Sequence, residues 1–338
     1  MPRTARLDTP GLLHHVMIRG IERRRIFDDN VDHNNFIERL SILLPETNTK
    51  CYAWAFVFNH AHFLLRSGLP GISTLMRRLL TGYAVSYNRR HKRHGQLFQN
   101  RYKSIICQED VYLNELVRYI HLNPLRANIV PAMKELDKYA YCGHSALLGK
   151  KKNKWQDVKY VLGLFGTKVG EARRKYRAYV EQGIVDGRRP ELVGGGLIRS
   201  LGGWDAAKKM RLSGQDRIKS DQRILGESDF VQDVLFDSEE NLSRKYKLKN
   251  QGFDFEKILD RVANIFDLEK NYITAKGRQK DRVQARDLAC YWAVVELGIS
   301  MANLSEKLRM TIAAVSYAVK RGEMVAKEGD YQLADRDI

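Results

Sequence analysis

The stretch Val57-Phe58-Asn59-His60-Ala61-His62-Phe63-Leu64-Leu65 places two histidines on either side of one small residue in an otherwise apolar run. Side chains at positions i and i+2 of a β-strand lie on the same face, so His60 and His62 are expected to point in one direction from a rigid support. Two convergent imidazoles are suited to binding a divalent metal ion. An isolated pair of this kind also occurs on solvated strand faces, so the remaining sequence has to decide between the two interpretations.

The segments around this stretch alternate between strand and helix patterns. Runs of apolar and β-branched residues predict strands, and amphipathic spacing predicts helices, in the order 12–19 (strand), 30–44 (helix), 51–58 and 62–66 (strands), 72–91 (helix), 97–107 (strand) and 109–120 (helix). The order β-α-β-β-α-β followed by a helix is the ferredoxin-like pattern, which is an α+β fold. We expect one open antiparallel sheet with helices on one face and the other face free for a substrate.

The charge of the chain predicts a polyanionic partner. Its 58 Lys and Arg residues exceed its 40 Asp and Glu residues, and residues 47–108 contain no acidic residue at all. A solvated helix surface usually mixes both signs, so this window favours a large positive face that contacts nucleic-acid phosphates. The predicted DNA-contacting residues of this face are Arg77, Arg78, Arg89, Arg90, Lys92, Arg93, Arg101 and Lys103. The aromatic residues among them, Tyr83, Tyr87, Phe98 and Tyr102, are predicted either to stack on unpaired bases or to belong to the core.

Other features exclude several classes of protein. No segment approaches the roughly 18 consecutive apolar residues of a membrane span, and the first residues lack the apolar run of a secretory signal. The four scattered cysteines, Cys51, Cys107, Cys142 and Cys290, predict buried thiols rather than a zinc knuckle or a disulfide framework. We therefore expect a cytoplasmic, nucleoid-associated protein with no membrane partner, either a monomer or a homodimer.

The second half of the chain has a different character. Residues 155–183 predict helix, 186–203 a glycine-rich linker, and 204–210 and 229–235 further helices. Near the C-terminus, Ser300 and Thr311 are candidate N-caps of two short helices joined by about three residues. This pair predicts a helix-turn-helix, although any three-helix bundle has a similar pattern. The residues predicted to contact DNA there are Thr311, Ser316, Lys320 and Arg321.

The segment Arg118-Tyr119-Ile120-His121-Leu122-Asn123-Pro124 supplies groups that the two histidines lack. Tyr119 and Asn123 are four residues apart and share a helix face, which could bring a third neutral metal ligand and a phenol to the histidine pair. A metal ion there would polarise a phosphodiester, and the tyrosine would attack it to form a covalent phosphotyrosine. His121 lies about 200° around the helix from Tyr119 and is expected to face away as a structural residue.

Three ordered blocks resemble the IS200-like tyrosine transposases, the Y1 branch of the HUH nucleases, and in particular the REP-associated tyrosine transposases. They are residues 59–65, 95–104 (Gly-Gln-Leu-Phe-Gln-Asn-Arg-Tyr-Lys-Ser) and 118–127. The resemblance implies a domain that cuts and rejoins single-stranded DNA near hairpins with Mg²⁺ or Mn²⁺. It further implies that His60 and His62 bind the metal, that Tyr119 is the nucleophile, and that Asn123 occupies the position of the third ligand.

The C-terminal segment is similar to the DNA-binding domain of the replication initiator DnaA, of the Trp-repressor-like helix-turn-helix group. The similarity lies in Ala285-Arg286-Asp287-Leu288-Ala289 and the helix pair from Ser300 to Arg321. Where that family favours Asp-His-Thr-Thr, this chain has Thr311-Ile312-Ala313-Ala314. The resemblance thus implies the fold, with possible duplex binding, and leaves the base preference open.

Together these features predict a nuclease domain at 1–148, a helical accessory region at 149–250 and a helix-turn-helix domain at 251–338. The function they favour is a metal-dependent single-strand DNA endonuclease and strand transferase acting on single-stranded or hairpin DNA. The alternative is a DNA-binding regulator or architectural protein whose nuclease centre is vestigial. The charge alone also permits an RNA-binding protein, which no motif supports.

Overall fold

The computed structural model describes residues 7–187, 189, 192 and 221–334. The chain divides into two compact units, one ending at Leu235 and the other beginning at Phe236 and including the short segments 46–48 and 68–71. The helix predicted at 204–210 lies outside the described residues, as does most of the predicted linker at 186–203. The division into domains at 148 and 250 stays a prediction.

The first unit is built around one mixed sheet. Apart from a 3-10 turn at Ile21–Arg23, its first seven strands and helices are β1 (Leu13–Arg19), α1 (Asn30–Glu46), β2 (Lys50–Val57), β3 (His60–Arg66), α2 (Gly71–Arg90), β4 (Lys103–Cys107) and α3 (Glu109–His121). Their order follows the order of the predicted segments, and the α+β class is confirmed. The predicted strand at 97–107 is shorter than expected, because only its second half forms β4.

The sheet has the strand order β2-β3-β1-β4-β5, where β5 is the two-residue strand Ile224–Leu225. The first four strands pair antiparallel, whereas β5 runs parallel to β4. In the register of β1 and β3, Arg19 lies opposite His60 and Met17 opposite His62. Residues 141–142 and 156–157 follow the outer side of β2, where Phe56 donates its backbone N–H to Tyr141 and Cys51 accepts one from Asp157.

Both faces of the sheet are covered. Val16 and Ile18 of β1 pack with α1 and α2 on one face, and the alternate residue Leu13 packs with α3 on the other. The expectation of a free face for a substrate was therefore wrong: the apolar residues Leu113, Leu116 and Ile120 of α3 bury that face. Helix α3 thereby carries Tyr119 over the strand face to which His60 and His62 belong.

The remaining helices of the first unit extend this second layer. They are α4 (Asn123–Arg126), α5 (Met133–Leu136), α6 (Gly143–Leu147), α7 (Val158–Gly163) and α8 (Val169–Gln182). The helix predicted over 155–183 is thus two helices. Gly166 between them has φ +148°, a conformation that side-chain-bearing residues rarely adopt.

The second unit is helical. After α9 (Ser228–Asn250), which crosses the boundary between the units, it contains α10 (Phe255–Phe266), α11 (Lys270–Thr274), α12 (Lys280–Val295), α13 (Met301–Lys307) and α14 (Ile312–Glu328). Both predicted N-caps form: Ser300 accepts from the backbone N–H of Asn303, and Thr311 accepts from that of Ala314. Gly322 lets α14 approach α12 closely, because a Cβ there would lie 2.0 Å from the carbonyl oxygen of Asp287. None of the described helices is both long and apolar enough to cross a bilayer.

Candidate active site

His60, His62 and Tyr119 come together at the face of β3 covered by α3. The ring centroids of His60 and His62 are 5.2 Å apart, and those of His62 and Tyr119 are 5.9 Å apart. His62 is 6% exposed, whereas His60 and Tyr119 are half-buried. His15 of β1 joins this group, with its ring centroid 5.3 Å from that of His62 and 5.9 Å from that of Tyr119. We call these four side chains, His15, His60, His62 and Tyr119, the candidate centre.

His15 fixes which nitrogen of His62 carries a proton. The Nδ1 of His15 lies 3.1 Å from the backbone carbonyl oxygen of Leu192, which can only accept, so this nitrogen bears the hydrogen. In a neutral imidazole the other nitrogen, Nε2, is then an acceptor. It lies 3.0 Å from Nδ1 of His62, which must therefore donate. Nε2 of His62 consequently has a free lone pair, the form in which histidine binds a metal ion.

His60 is held in the same tautomer by a different neighbour. Its Nδ1 lies 2.7 Å from Oδ1 of Asn59, and the amide nitrogen of Asn59 donates to the backbone oxygen of Arg23 at 3.0 Å. The amide orientation that this second bond requires leaves Oδ1 as the acceptor, so Nδ1 of His60 donates. Nε2 of His60 is again the nitrogen with the free lone pair.

The surroundings keep both histidines neutral at pH 7. Burial, followed by the charge of Arg19, lowers the pKa of His60 to about 4. Burial lowers the pKa of His62 well below its usual value, and His15, His60 and Arg19 lower it further. Because an imidazole binds metal only when it is deprotonated, these shifts favour metal binding over a wide pH range.

Asn123 begins α4, one helical turn after Tyr119, and is 9% exposed. Its amide nitrogen donates to the backbone oxygens of Tyr119 and Ile120 at 3.1 and 3.2 Å. Those bonds orient the amide, so that its oxygen is the atom left to act as a metal ligand.

Arg126 is a neighbour of the tyrosine to which the sequence assigned no role. Its guanidinium carbon lies 5.3 Å from the centroid of the Tyr119 ring. The same side chain donates to the backbone oxygens of Tyr119 and Gly183 at 3.4 and 3.2 Å. A cation held in this position stabilises negative charge on the phenol oxygen or on a nearby phosphate.

His121 belongs to the packing of α3 against α8, as the helix periodicity predicts. It is fully buried, and its Nδ1 lies 2.7 Å from the hydroxyl of Tyr176. The same hydroxyl lies 2.7 Å from Nδ1 of His144, whose Nε2 lies 2.9 Å from Asp137. We call His121, Tyr176, His144 and Asp137 the buried relay.

The basic residues predicted for DNA contact fall into two groups. Arg77, Arg89, Lys92, Arg101 and Lys103 are exposed, and Arg78 is half-buried. By contrast, Arg90 donates to Asp29 and Asp32, and Arg93 donates to Asn88 and to the backbone oxygen of Gln96.

The aromatic residues of this region separate in a similar way. Tyr83, Tyr87 and Tyr102 are 1%, 5% and 8% exposed and belong to the core, so stacking on bases is excluded for them. Phe98 is half-buried and remains accessible.

A second group of side chains could also hold a metal ion. Asp28, Asp32 and His91 each offer a ligand atom, and these atoms lie within 4.8 Å of one another. Nη1 of Arg90, however, donates to Oδ1 of Asp32 at 2.7 Å, and Nε2 of His91 lies 3.0 Å from both Asp32 carboxylate oxygens. The hydroxyl of Tyr87 donates to Asp28 at 2.6 Å. Because Arg90 already neutralises Asp32 and Tyr87 already occupies Asp28, we interpret the group as a polar network that links the start of α1 to the end of α2.

In the second unit, the four predicted DNA contacts have different surroundings. Thr311 caps α14, and Lys320 is exposed. Ser316 is 7% exposed and faces the core, and the guanidinium of Arg321 donates to Asp287 at 2.6 and 2.9 Å.

Comparisons with known proteins found one similar solved structure and one matching family model. A solved structure described as "Structure of the REP associates tyrosine transposase bound to a REP hairpin" is similar to this chain with a TM-score of 0.36 and 15% identity, over 47% of this chain and 93% of that chain. No match was found among the curated proteins. Residues 9–123 match the model of the family described as "Transposase IS200 like". The matched residues run from before β1 to Asn123, so the match includes all four side chains of the candidate centre.

Proposed function

We propose that the chain is a transposase-like, metal-dependent endonuclease and strand transferase of single-stranded or hairpin DNA, with a ferredoxin-like nuclease domain. The observation that carries the proposal is the convergence of His60, His62 and Tyr119, from two elements that lie far apart in sequence, with ring centroids 5.2 and 5.9 Å apart. The match of residues 9–123 to IS200-like transposases supports the same reaction class.

Tyr119 is the nucleophile of the proposed reaction. Its hydroxyl oxygen attacks the phosphorus of a phosphodiester while the bond from phosphorus to the leaving deoxyribose oxygen breaks. The phenol proton is released, and the leaving oxygen takes up a proton to become a free hydroxyl. Attack of a deoxyribose hydroxyl on the phosphotyrosine reverses these steps, so rejoining needs no ATP. Arg126 stabilises the negative charge that develops beside the phenol.

The donor set fits a divalent metal ion. Nε2 of His60 and Nε2 of His62 are available, and Oδ1 of Asn123 would add a hard oxygen ligand, since the amide nitrogen of Asn123 is already bonded to the backbone. Held by these residues, Mg²⁺ or Mn²⁺ would supply Lewis-acid polarisation of the phosphodiester. His15 and Asn59 would orient the two imidazoles by accepting hydrogen bonds from Nδ1 of His62 and Nδ1 of His60, as hydrogen-bond partners of metal-binding histidines generally do.

We further propose that the C-terminal part, from residue 251, is a helix-turn-helix domain that helps to select the DNA, including duplex DNA. The two capped helices α13 and α14 support this proposal, as do the exposed Lys320 and the capping Thr311 at the start of α14. Ser316 and Arg321 support it less, because one is buried and the other is paired with Asp287.

The proposal is tested with a labelled hairpin oligonucleotide from the DNA flanking the gene, incubated with the protein and Mn²⁺. We expect a protein–DNA adduct that survives denaturing electrophoresis, and we expect Tyr119→Phe to abolish it because no phenol oxygen remains to form the bond. Tyr112→Phe, on the same helix, is the matched control and should retain the adduct. Hairpin binding without a nick on any strand would instead support the vestigial regulator.

A further inference from the structure

The chain that follows α8 lies against the helix that carries Tyr119. Its described residues are 183–187, 189 and 192, which we call the post-α8 segment. They lie outside residues 9–123, the part of the chain that matches the IS200-like family. Their contacts nevertheless reach the candidate centre.

The post-α8 segment begins in close contact with α3 and α4. A Cβ atom on Gly183 would lie 2.6 Å from Cδ of Arg118, so only a residue without a side chain fits beside Arg118 at this distance. The backbone oxygen of Gly183 accepts a hydrogen bond from Arg126 at 3.2 Å. One arginine from α3 and one from α4 therefore fix the first residue of the segment.

Two arginines and two carboxylates continue the attachment to α3. Nη2 of Arg118 lies 2.9 Å from Oδ2 of Asp186, and Nη1 of Arg189 lies 3.3 Å from Oε2 of Glu115. The two pairs are joined, because Arg118 also lies 2.8 Å from Glu115 and Arg189 lies 3.8 Å from Asp186. The four side chains are between 14% and 32% exposed. A partly buried network of this kind holds its members in place better than an isolated surface pair does.

The segment ends at a buried residue whose backbone contacts the candidate centre. Leu192 is 2% exposed and belongs to the same apolar cluster as Leu116 of α3. Its backbone N–H donates to the backbone oxygen of Arg189 at 3.2 Å. Its backbone oxygen accepts from Nδ1 of His15, which is 177 residues away in the sequence. The ion pairs and the hydrogen bond to His15 thus belong to one short stretch of backbone.

We propose that Asp186 is a positioning residue of the metal centre: its ion pairs hold the Leu192 carbonyl against His15 and so select the metal-binding tautomer of His62. The inference rests on the proposed function, because it concerns the state of a proposed metal ligand. It adds that a centre whose ligands lie within residues 9–123 depends on a carboxylate outside them.

The direction of one hydrogen bond explains the dependence. While the Leu192 carbonyl accepts from Nδ1 of His15, Nε2 of His15 accepts from Nδ1 of His62. Without that carbonyl, the proton of His15 is free to move to Nε2, which then donates to Nδ1 of His62. The proton of His62 moves in turn to Nε2, the nitrogen that the metal needs. Each ring keeps one proton, so the tautomers change and the net charge does not.

The test uses the full-length protein without metal or DNA, labelled with ¹⁵N in its histidines. Long-range ¹H–¹⁵N correlation spectra show which ring nitrogen carries the proton, and His62→Gln identifies the His62 signals. We expect His62 to be protonated on Nδ1 in the wild type. Asp186→Lys repels Arg118 and Arg189, and should populate the Nε2–H form of His62. Asp186→Glu keeps a carboxylate and should restore the wild-type spectrum.

Titration calorimetry with Mn²⁺ on the same proteins gives the second measurement. Asp186→Lys is expected to bind Mn²⁺ about 2- to 10-fold more weakly, from equal population of two tautomers up to the weaker effects of losing a histidine's hydrogen-bond partner. Glu171→Lys on α8 is the matched control, because it makes the same change of charge and breaks the 2.7 Å ion pair with Lys175. It should leave the His62 tautomer unchanged and shows how much the added charge alone weakens Mn²⁺ binding.

Three results would overturn the inference: a His62 spectrum that Asp186→Lys leaves unchanged, equal Mn²⁺ affinities of Asp186→Lys and Glu171→Lys, or an Asp186→Glu variant that behaves like Asp186→Lys. Circular dichroism monitors the fold, and Asp186→Asn, which removes the charge without reversing it, takes the place of Asp186→Lys if that variant does not fold. The spectra are recorded without metal or DNA, so they decide the inference whether or not the wild-type protein forms the covalent adduct. A missing adduct together with a tautomer that depends on Asp186 would count against the proposed function alone.

Discussion

The tautomer of His62 is set by a residue outside its own motif. The proton of His62 is on Nδ1 because Nε2 of His15 accepts a hydrogen bond there. Nε2 of His15 is free to accept because the proton of His15 is on Nδ1, which donates to the carbonyl of Leu192. The chain of bonds therefore extends from the backbone beyond α8, through two imidazoles, to a free lone pair. Without it, the Nδ1–H and Nε2–H tautomers of His62 would compete.

Substitution of His15 is expected to weaken metal binding. His15→Ala removes the acceptor that holds the proton on Nδ1 of His62, and loss of such partners typically lowers metal affinity about 10- to 100-fold. Titration calorimetry with Mn²⁺ on the DNA-free protein measures this directly. The control is His14→Ala, because His14 lies on the opposite face of β1 and is bonded to Ser104. Equal Mn²⁺ affinity of the two variants would contradict the role assigned to His15.

Sequence reasoning found His60, His62 and Tyr119 but not His15 or Arg126, for a physical reason. The first three belong to short motifs, whose alternation and helical spacing are local properties. The contact of His15 with His62 depends on which strand pairs with β1, and the contact of Arg126 with Tyr119 depends on the turn between α3 and α4. Neither can be deduced from spacing along the chain.

At the scale of elements, α3 is fixed in place by polar as well as apolar contacts. Burial lowers the pKa values of His121 and His144, so both are neutral. His144 donates from Nε2 to Asp137 and accepts at Nδ1 from the Tyr176 hydroxyl, which in turn accepts from Nδ1 of His121. The buried relay thus connects the helix that carries Tyr119 to α8.

Tyr176→Phe is expected to destabilise the protein. It leaves the Nδ1 atoms of His121 and His144 buried without partners, at a cost of about 1–3 kcal/mol in the free energy of unfolding. Urea denaturation followed by fluorescence gives this value. Tyr317→Phe, at a 56% exposed position, should leave the stability unchanged. Equal urea midpoints for Tyr176→Phe and Tyr317→Phe would contradict a stabilising role of the buried relay.

The helices and strands differ in how far the sequence could predict them. The bounds of α1, α2 and α3 agree with prediction to within two residues, because periodicity and capping are local. The strand β5 was not predicted, because a run of two residues has no detectable pattern. It forms only because Ile224 and Leu225 pair with β4, which lies more than a hundred residues earlier in the chain.

At the scale of the whole molecule, each unit has its own hydrophobic core. We therefore expect residues 1–235 to retain formation of the covalent adduct on a hairpin, because the candidate centre lies entirely within them. The same truncation should lose affinity for duplex DNA if the C-terminal part contributes a helix-turn-helix. Adduct gels and fluorescence anisotropy measure the two properties separately, with the full-length protein as control. Undiminished duplex affinity of the truncated protein would exclude that DNA-binding role.

The pairing along the outer strands of the sheet limits how copies of this protein can associate. Unpaired strand edges are templates for joining sheets of separate molecules, both in dimers and in aggregates. Here β5 pairs with the last two residues of β4, and residues 141–142 and 156–157 occupy parts of the outer side of β2. Within the described residues, the chain thus shields part of each margin of its own sheet. A continuous sheet running from one copy of the protein into another is disfavoured along those parts.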